Sequence, residues 1–212
     1  LQIVLVDPLR PGHETTHHPG EAVLRMADIV VIAKTNSAAE VDIQHVAETA
    51  RSLAPGATVI RAASEVRLDD PAAVRGRKVI VVDDGPTITH GGMGYGAGYV
   101  AAVQGGAGEI VDPRPCAVGD IADVYRKFPH IRKVLPAMGY SDKELADLRA
   151  TLNASDADVV VAGTPMDLSH LIQLDKPIVR ARYDFKDVGA PRLGELVLDF
   201  LKSRDLIARA VA

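Results

Sequence analysis

"KVIVVDDGPTITHGGMGYGAG", residues 78–98, decides how the chain is read. Val79 to Val82 form an apolar run without polar alternation, as a strand buried on both faces of a parallel sheet requires. Two aspartates follow, then six glycines between 85 and 98. Successive backbone N–H groups in such a turn can cradle an anion, and a helix starting between Gly94 and Gly98 adds its partial positive charge. Thr87 and Thr89 offer hydroxyls, and His90 a ring. Neither Gly-x-Gly-x-x-Gly nor Gly-x-x-x-x-Gly-Lys-Ser/Thr is present in usable form, since "GMGYGAG" (92–98) lacks the lysine and hydroxyl of a P-loop. The steric alternative, glycines for close packing of helix on sheet, stays open. Adjacent strand residues point to opposite faces, so Asp83 and Asp84 do not act as one pair. One takes a proton or a metal while the other caps the turn. The candidate catalytic groups are His90 and Asp84, with Thr89, Gly91 and Gly92 as phosphate contacts.

Outward from this stretch, short apolar runs alternate with helical patterns, the signature of an α/β fold with mostly parallel sheets and flanking helices. The strands expected are 2–6, 28–33, 57–62, 78–83, 108–112, 157–163 and 176–182, with a further strand or turn at 133–135. Helices are expected at 39–56, 96–105, 118–127, 141–153 and 192–203. Pro55-Gly56 stop the first of these, and Ser37 is its candidate N-cap. Ser141 with Glu144 is a capping-box pattern. The polar, turn-rich stretch "RLDDPAAVRGR" (67–77) marks a boundary, giving domains over 1–70 and 76–212.

The chain has 212 residues, 47% hydrophobic and 25% charged, with net charge −4, an ordinary soluble composition. That charge gives no general attraction for nucleic acid or anionic membrane, so any anion site is local. No apolar run approaches the roughly 20 residues of a membrane span. A single cysteine, Cys116, rules out an intrachain disulfide and fits a cytoplasmic setting. The opening "LQIVLVD" has no methionine and no polar lead-in, and is read as a strand cut from a longer chain.

Other strand ends carry further candidates. Asp7 either holds Mg²⁺ or turns the chain before Pro8. His13, Glu14, His17 and His18 follow no zinc spacing, and Pro11-Gly12 and Pro19-Gly20 favour a solvated loop. "AKTN" (33–36) stands where GTP-binding proteins carry Asn-Lys-x-Asp. Lys34 is present, but Asn36 replaces the carboxylate that accepts guanine N–H groups. Ser64 is a further base contact, making Lys34, Asn36 and Ser64 the nucleotide candidates. Arg114 in "IVDPRP" suits bidentate phosphate binding. Thr164 with Pro165 opens a short helix toward a ligand. Arg180 and Arg182 share one strand face, with either an anionic ligand or a structural carboxylate as partner. His130 and Tyr140 are candidates for lining a pocket.

"DPLRPGHE", "LRMADIVVIAKTNSA", "VIVVDDGPTITHGGMGYGAGYVAA", "IVDPRPCAVGDI", "FPHIRKVLPAMGY" and "VVVAGTPMDL…KPIVRARYDF" run in order over nearly the whole chain. Together they resemble the C-terminal half of the cyclic 2,3-diphosphoglycerate synthetase family, whose relatives include predicted GTPases. The resemblance implies the remnant of a P-loop NTPase-like domain followed by a Rossmann-like α/β unit. It implies a phosphotransferase or ligase using Mg²⁺ and ATP or GTP, with a phosphate-gripping loop upstream of Leu1 and little activity in this chain alone. The expected partners are a nucleotide and a phosphorylated small molecule, with a homodimer left open. A binding module for a phosphorylated metabolite and a GTPase-like switch are the alternatives.

Overall fold

The computed structural model describes residues 1–90, 92–139 and 141–206. The fold is α/β with parallel pairing, as the sequence pattern predicts. It divides into two compact units, Leu1–Glu65 with the chain from Asp184 onward, and Val66–Tyr183. The return of the chain to the first unit at Asp184 has no counterpart in the sequence reading.

In the first unit β1 (Ile3–Val6), β2 (Ile29–Ile32) and β3 (Thr58–Leu68, which continues into the second unit) lie in the order β1-β2-β3. Val6, Val30 and Ile32 face one side, against Leu24 of α2 (Gly20–Arg25) and Ile43, Val46, Ala47 and Ala50 of α3 (Glu40–Leu53). Those four α3 residues recur at helical spacing, which is why the helix forms with that face inward. Its N-cap is Ala39, two residues beyond Ser37, with no side-chain cap. Ile29, Val31, Ile60 and Ala62 face the other side, where Leu193 and Leu196 of α9 (Leu193–Ser203) cover them. The histidine-rich loop forms α1 (His13–Thr16) and leads into α2.

In the second unit β4 (Lys78–Asp84) is central. β7 (Val159–Gly163) pairs along one edge, with β8 (Ile178–Val188, which continues into the first unit) beyond it. The other edge is shared: β5 (Glu109–Ile110) pairs with Lys78 and Val79, and β6 (Leu135–Ala137) with Val82 to Asp84. Val79 and Val81 enter one core with Ala101 and Ala102 of α5 (Ala97–Gln104). Ile80 and Val82 enter the other with Ile121 of α6 (Gly119–Lys127) and Leu148 and Leu152 of α7 (Asp142–Ala154). All four strand residues are fully buried, each worth ~1.5–3 kcal/mol against exposure. The capping box of α7 forms: Glu144 N donates to Ser141 Oγ, and Ser141 N to Glu144 Oε2 at 3.1 Å.

Two short helices, α4 (Gly85–Thr89) and α8 (Leu168–Leu171), complete the set. The first replaces what reads in sequence as the start of a glycine loop. β3 and β8 run six residues further than the sequence suggests, because their polar extensions are held by ion pairs. Lys186 meets Glu65 at 2.7 Å in the first unit, and Arg182 meets Asp69 at 2.7 Å in the second. Among the described residues no helix is long and apolar enough to cross a membrane.

Candidate functional site

In the first unit the strand ends gather Asp7, Arg10 and Lys34. Lys34 has φ 54°, a left-handed turn that brings its Nζ back to Asp7 Oδ2 at 2.7 Å. Arg10 Nη2 donates to the same oxygen at 2.9 Å, and Leu9 N to Oδ1 at 3.1 Å. Burial acts to raise the Asp7 pKa, but Lys34, the Leu9 amide and Arg10 together outweigh it and hold the carboxyl below its ordinary 3.8. Asp7 is thus charge-matched by side chains. A magnesium ion there has to displace one of them, and no three metal-ligating side chains gather among the described residues.

The Lys34-Thr35-Asn36 turn is laced to β3. Thr35 donates to Ala62 O through both N and Oγ1. Asn36 Oδ1 accepts from Ser64 N at 2.9 Å while its Nδ2 donates to Ser64 O at 3.2 Å. Two of the nucleotide candidates therefore touch, but Asn36 uses its amide on the backbone of Ser64, not its side chain. An aspartate at position 36 could not make the second of these bonds, since a carboxylate cannot donate to Ser64 O. His13 and His17 stack at 3.9 Å in the neighbouring loop.

In the second unit the glycine-rich stretch closes on Asp83. This carboxylate is fully buried on the α5 side of β4, where Oδ2 accepts from Gly96 N at 2.8 Å and Oδ1 from Gly98 N at 2.7 Å. A Cβ on Gly96 would lie 2.8 Å from Asp83 Cγ, and one on Gly163 would lie 2.5 Å from Asp83 Oδ1. The steric reading therefore holds for Gly96 and Gly98: they admit the start of α5 onto β4. The anion at that helix start is the protein's own. Burial pushes the Asp83 pKa up to about 6, partly offset by the amides of Gly96, Gly98 and Tyr99. The sequence singled out Asp84 and passed over Asp83. The signal was there in the register, since Asp83 continues the Val79–Val81 face.

Asp84 is the N-cap residue of α4, and its Oδ2 accepts from Thr87 Oγ1 at 2.8 Å. Thr89 is buried and donates to Gly85 O at 2.8 Å, and its Oγ1 lies 3.0 Å from His90 Nδ1. His90 is exposed and Gly92 has φ 65°. Gly91 and Tyr140 lie outside the described residues.

Each arginine chosen from the sequence has a carboxylate. Arg114 binds both oxygens of Asp112, through Nη2 at 2.7 Å and Nε at 2.8 Å. Arg180 Nη1 reaches Asp167 Oδ2 at 2.8 Å and its Nη2 reaches Pro165 O, joining it to the turn after the buried Thr164. Arg182 holds Asp69. Arg114 alone of the three lines an open groove of about 370 Å³, with Tyr99, His130, Arg132 and Lys133 among its neighbours. Arg132 and Lys133 are cations that sequence reasoning missed.

In open α/β sheets ligands bind beyond the carboxyl ends of the strands, where Asp7 and Lys34 lie in this chain. No family profile matches the chain. It is 51% identical over 203 residues to a protein named arginine synthetase ArcE from Thermococcus kodakarensis, across 96% of this chain and 45% of that protein. The chain thus spans just under half the length of this curated relative.

Proposed function

We propose that this chain is part of a nucleoside-triphosphate-dependent synthetase that forms arginine. The observation that carries this reading is the 51% identity over 203 residues to a protein bearing that name. Bond formation at the expense of ATP or GTP is the general chemistry of such an enzyme. The protein's contribution is positioning and charge neutralisation.

In this reading the first unit faces the nucleotide. Lys34 is the mobile charge, able to exchange Asp7 for a phosphate oxygen, while Asn36 and Ser64 shape the turn beside the base. Mg²⁺ enters with the nucleotide, and Asp7 is the one carboxylate of this cluster that can approach it. The second unit takes the anionic substrate beside His90, Thr89, Gly92 and Thr164, with Arg114, Arg180 and Arg182 able to exchange their carboxylates for it. Asp84 and His90 are the groups proposed to accept or donate a proton there.

The test is nucleotide consumption by the full-length gene product, followed with arginine formation, and in parallel with 2,3-diphosphoglycerate. The ordered motifs shared with the cyclic 2,3-diphosphoglycerate synthetase family favour the second substrate as the rival. Turnover coupled to arginine supports the proposal. Turnover coupled to diphosphoglycerate replaces the substrate. Hydrolysis indifferent to both points to a GTPase-like switch, and saturable binding without turnover to a metabolite-binding module. Any of the last three outcomes overturns the proposal.

A further inference from the structure

We infer that the groove lined by Arg132 and Lys133 is a binding site for a small phosphorylated anion. Three cations border it, and Asp112 already neutralises one, Arg114, through a bidentate pair that also holds the Asp112 pKa below its ordinary value. Among the described residues neither Arg132 nor Lys133 forms a salt bridge, although the charge of Lys133 also acts on Asp112 from further off. The site stands out in a chain whose net charge is −4.

The groove is built before any ligand arrives. Arg132 N donates to Gly94 O at 2.8 Å, and its guanidinium stands 5.3 Å from the Tyr95 ring centroid. Its side chain crosses Gly94, where a Cβ would come within 3.0 Å of Arg132 Cγ. One glycine of the rich stretch thus seats an arginine, which lowers the ordering cost of binding. A bond from Val134 N to Arg132 O at 2.8 Å turns the chain tightly about Lys133, so that consecutive side chains both border the groove.

The remaining walls narrow the ligand class. His130 Nε2 lies 2.7 Å from Ile88 O, and a carbonyl only accepts, so this nitrogen carries the proton. That Nε2–H is spent on the backbone, which fixes the ring at the edge of the groove. Tyr99 is half-buried and supplies an apolar flank with one hydroxyl. A planar guanidinium fork beside a compact ammonium suits a tetrahedral dianion with several acceptor oxygens, a phosphate ester or anhydride.

The experiment is calorimetric titration of the 212-residue protein with inorganic pyrophosphate at fixed ionic strength. Saturable binding is expected, weakened at least tenfold in Arg132→Ala/Lys133→Ala. It should be retained within about twofold in Arg75→Ala/Arg77→Ala, which removes two exposed cations elsewhere in the same unit. Absence of saturable binding, an unchanged groove variant, or equal loss in both pairs overturns the proposal, the last by showing diffuse charge attraction. If circular dichroism shows the groove variant unfolded, Lys133→Ala alone carries the test. Its exposed side chain makes no bond among the described residues, and a loss of at least threefold is expected where no change refutes the site. The inference does not rest on arginine synthesis. A protein that binds pyrophosphate here yet makes no arginine fails that reading and keeps this one.

Discussion

Asp7 and Asp83 stand at the carboxyl ends of β1 and β4, one in each unit, and they are neutralised in opposite ways. Asp7 is met by side-chain cations, Lys34 and Arg10. Asp83 is met by backbone N–H groups of Gly96 and Gly98. The cations leave Asp7 more acidic than usual, whereas burial, only partly offset by the amides, leaves Asp83 less acidic. A lysine can swing to another anion at small cost, whereas the amides of α5 cannot leave Asp83 without unwinding the helix start. Charge is thus exchangeable at Asp7 and fixed at Asp83.

The comparison breaks most severely at Gly163→Ala, whose methyl would drive into Gly98 N and Asp83. A loss of ~3 kcal/mol or more in urea unfolding is expected, and a loss below ~1 kcal/mol would show that α5 can lift from β4. Asp83→Asn comes next, at ~2 kcal/mol, because an amide NH₂ must face one backbone N–H. The same variant tests the pH dependence. Folded Asp83 keeps its proton to about 6 while the unfolded chain releases it near 3.8, so wild-type stability falls as pH rises through that window. The fall should be absent from Asp83→Asn.

Asp7→Asn should cost ~1.5 kcal/mol by leaving Lys34 and Arg10 without their charge. Its pH effect has the opposite sign. The Asp7 contribution is complete above the ordinary 3.8 and is lost as pH falls below it through the depressed folded value. Parallel slopes from acid titrations of the two variants would abolish the contrast. The smallest effect expected is ~1 kcal/mol for Asn36→Asp, which removes the donor to Ser64 O, and thermal unfolding can read it.

Local features were legible from the sequence. Unbroken β-branched runs gave the parallel strands, the Ser141–Glu144 spacing gave a formed cap, and the glycine run located the start of α5. What escaped depends on residues far apart. Asp83 gains its partners only when Gly96 and Gly98 arrive at the start of α5 and Gly163 comes alongside from β7, 80 residues on. Arg182 finds its carboxylate 113 residues away, so its pairing cannot be read from "VRARYDF". Arg132 and Lys133 look in sequence like ordinary solvated charges. Their setting depends on a tight turn and on Gly94, neither of which has a periodic signature. The extensions of β3 and β8 escaped because exposed alternating polar residues read as loop until their ion partners are known.

The order in which the chain is made adds a consequence. The apolar face of Ile29, Val31, Ile60 and Ala62 is closed by Leu193 and Leu196, which a ribosome supplies only after all of Val66–Tyr183 has been synthesised. A nascent chain therefore completes the middle unit while the earlier sheet still shows a bare flank. Translation halted near Tyr183 would release a half-dressed first unit, a natural client for chaperones.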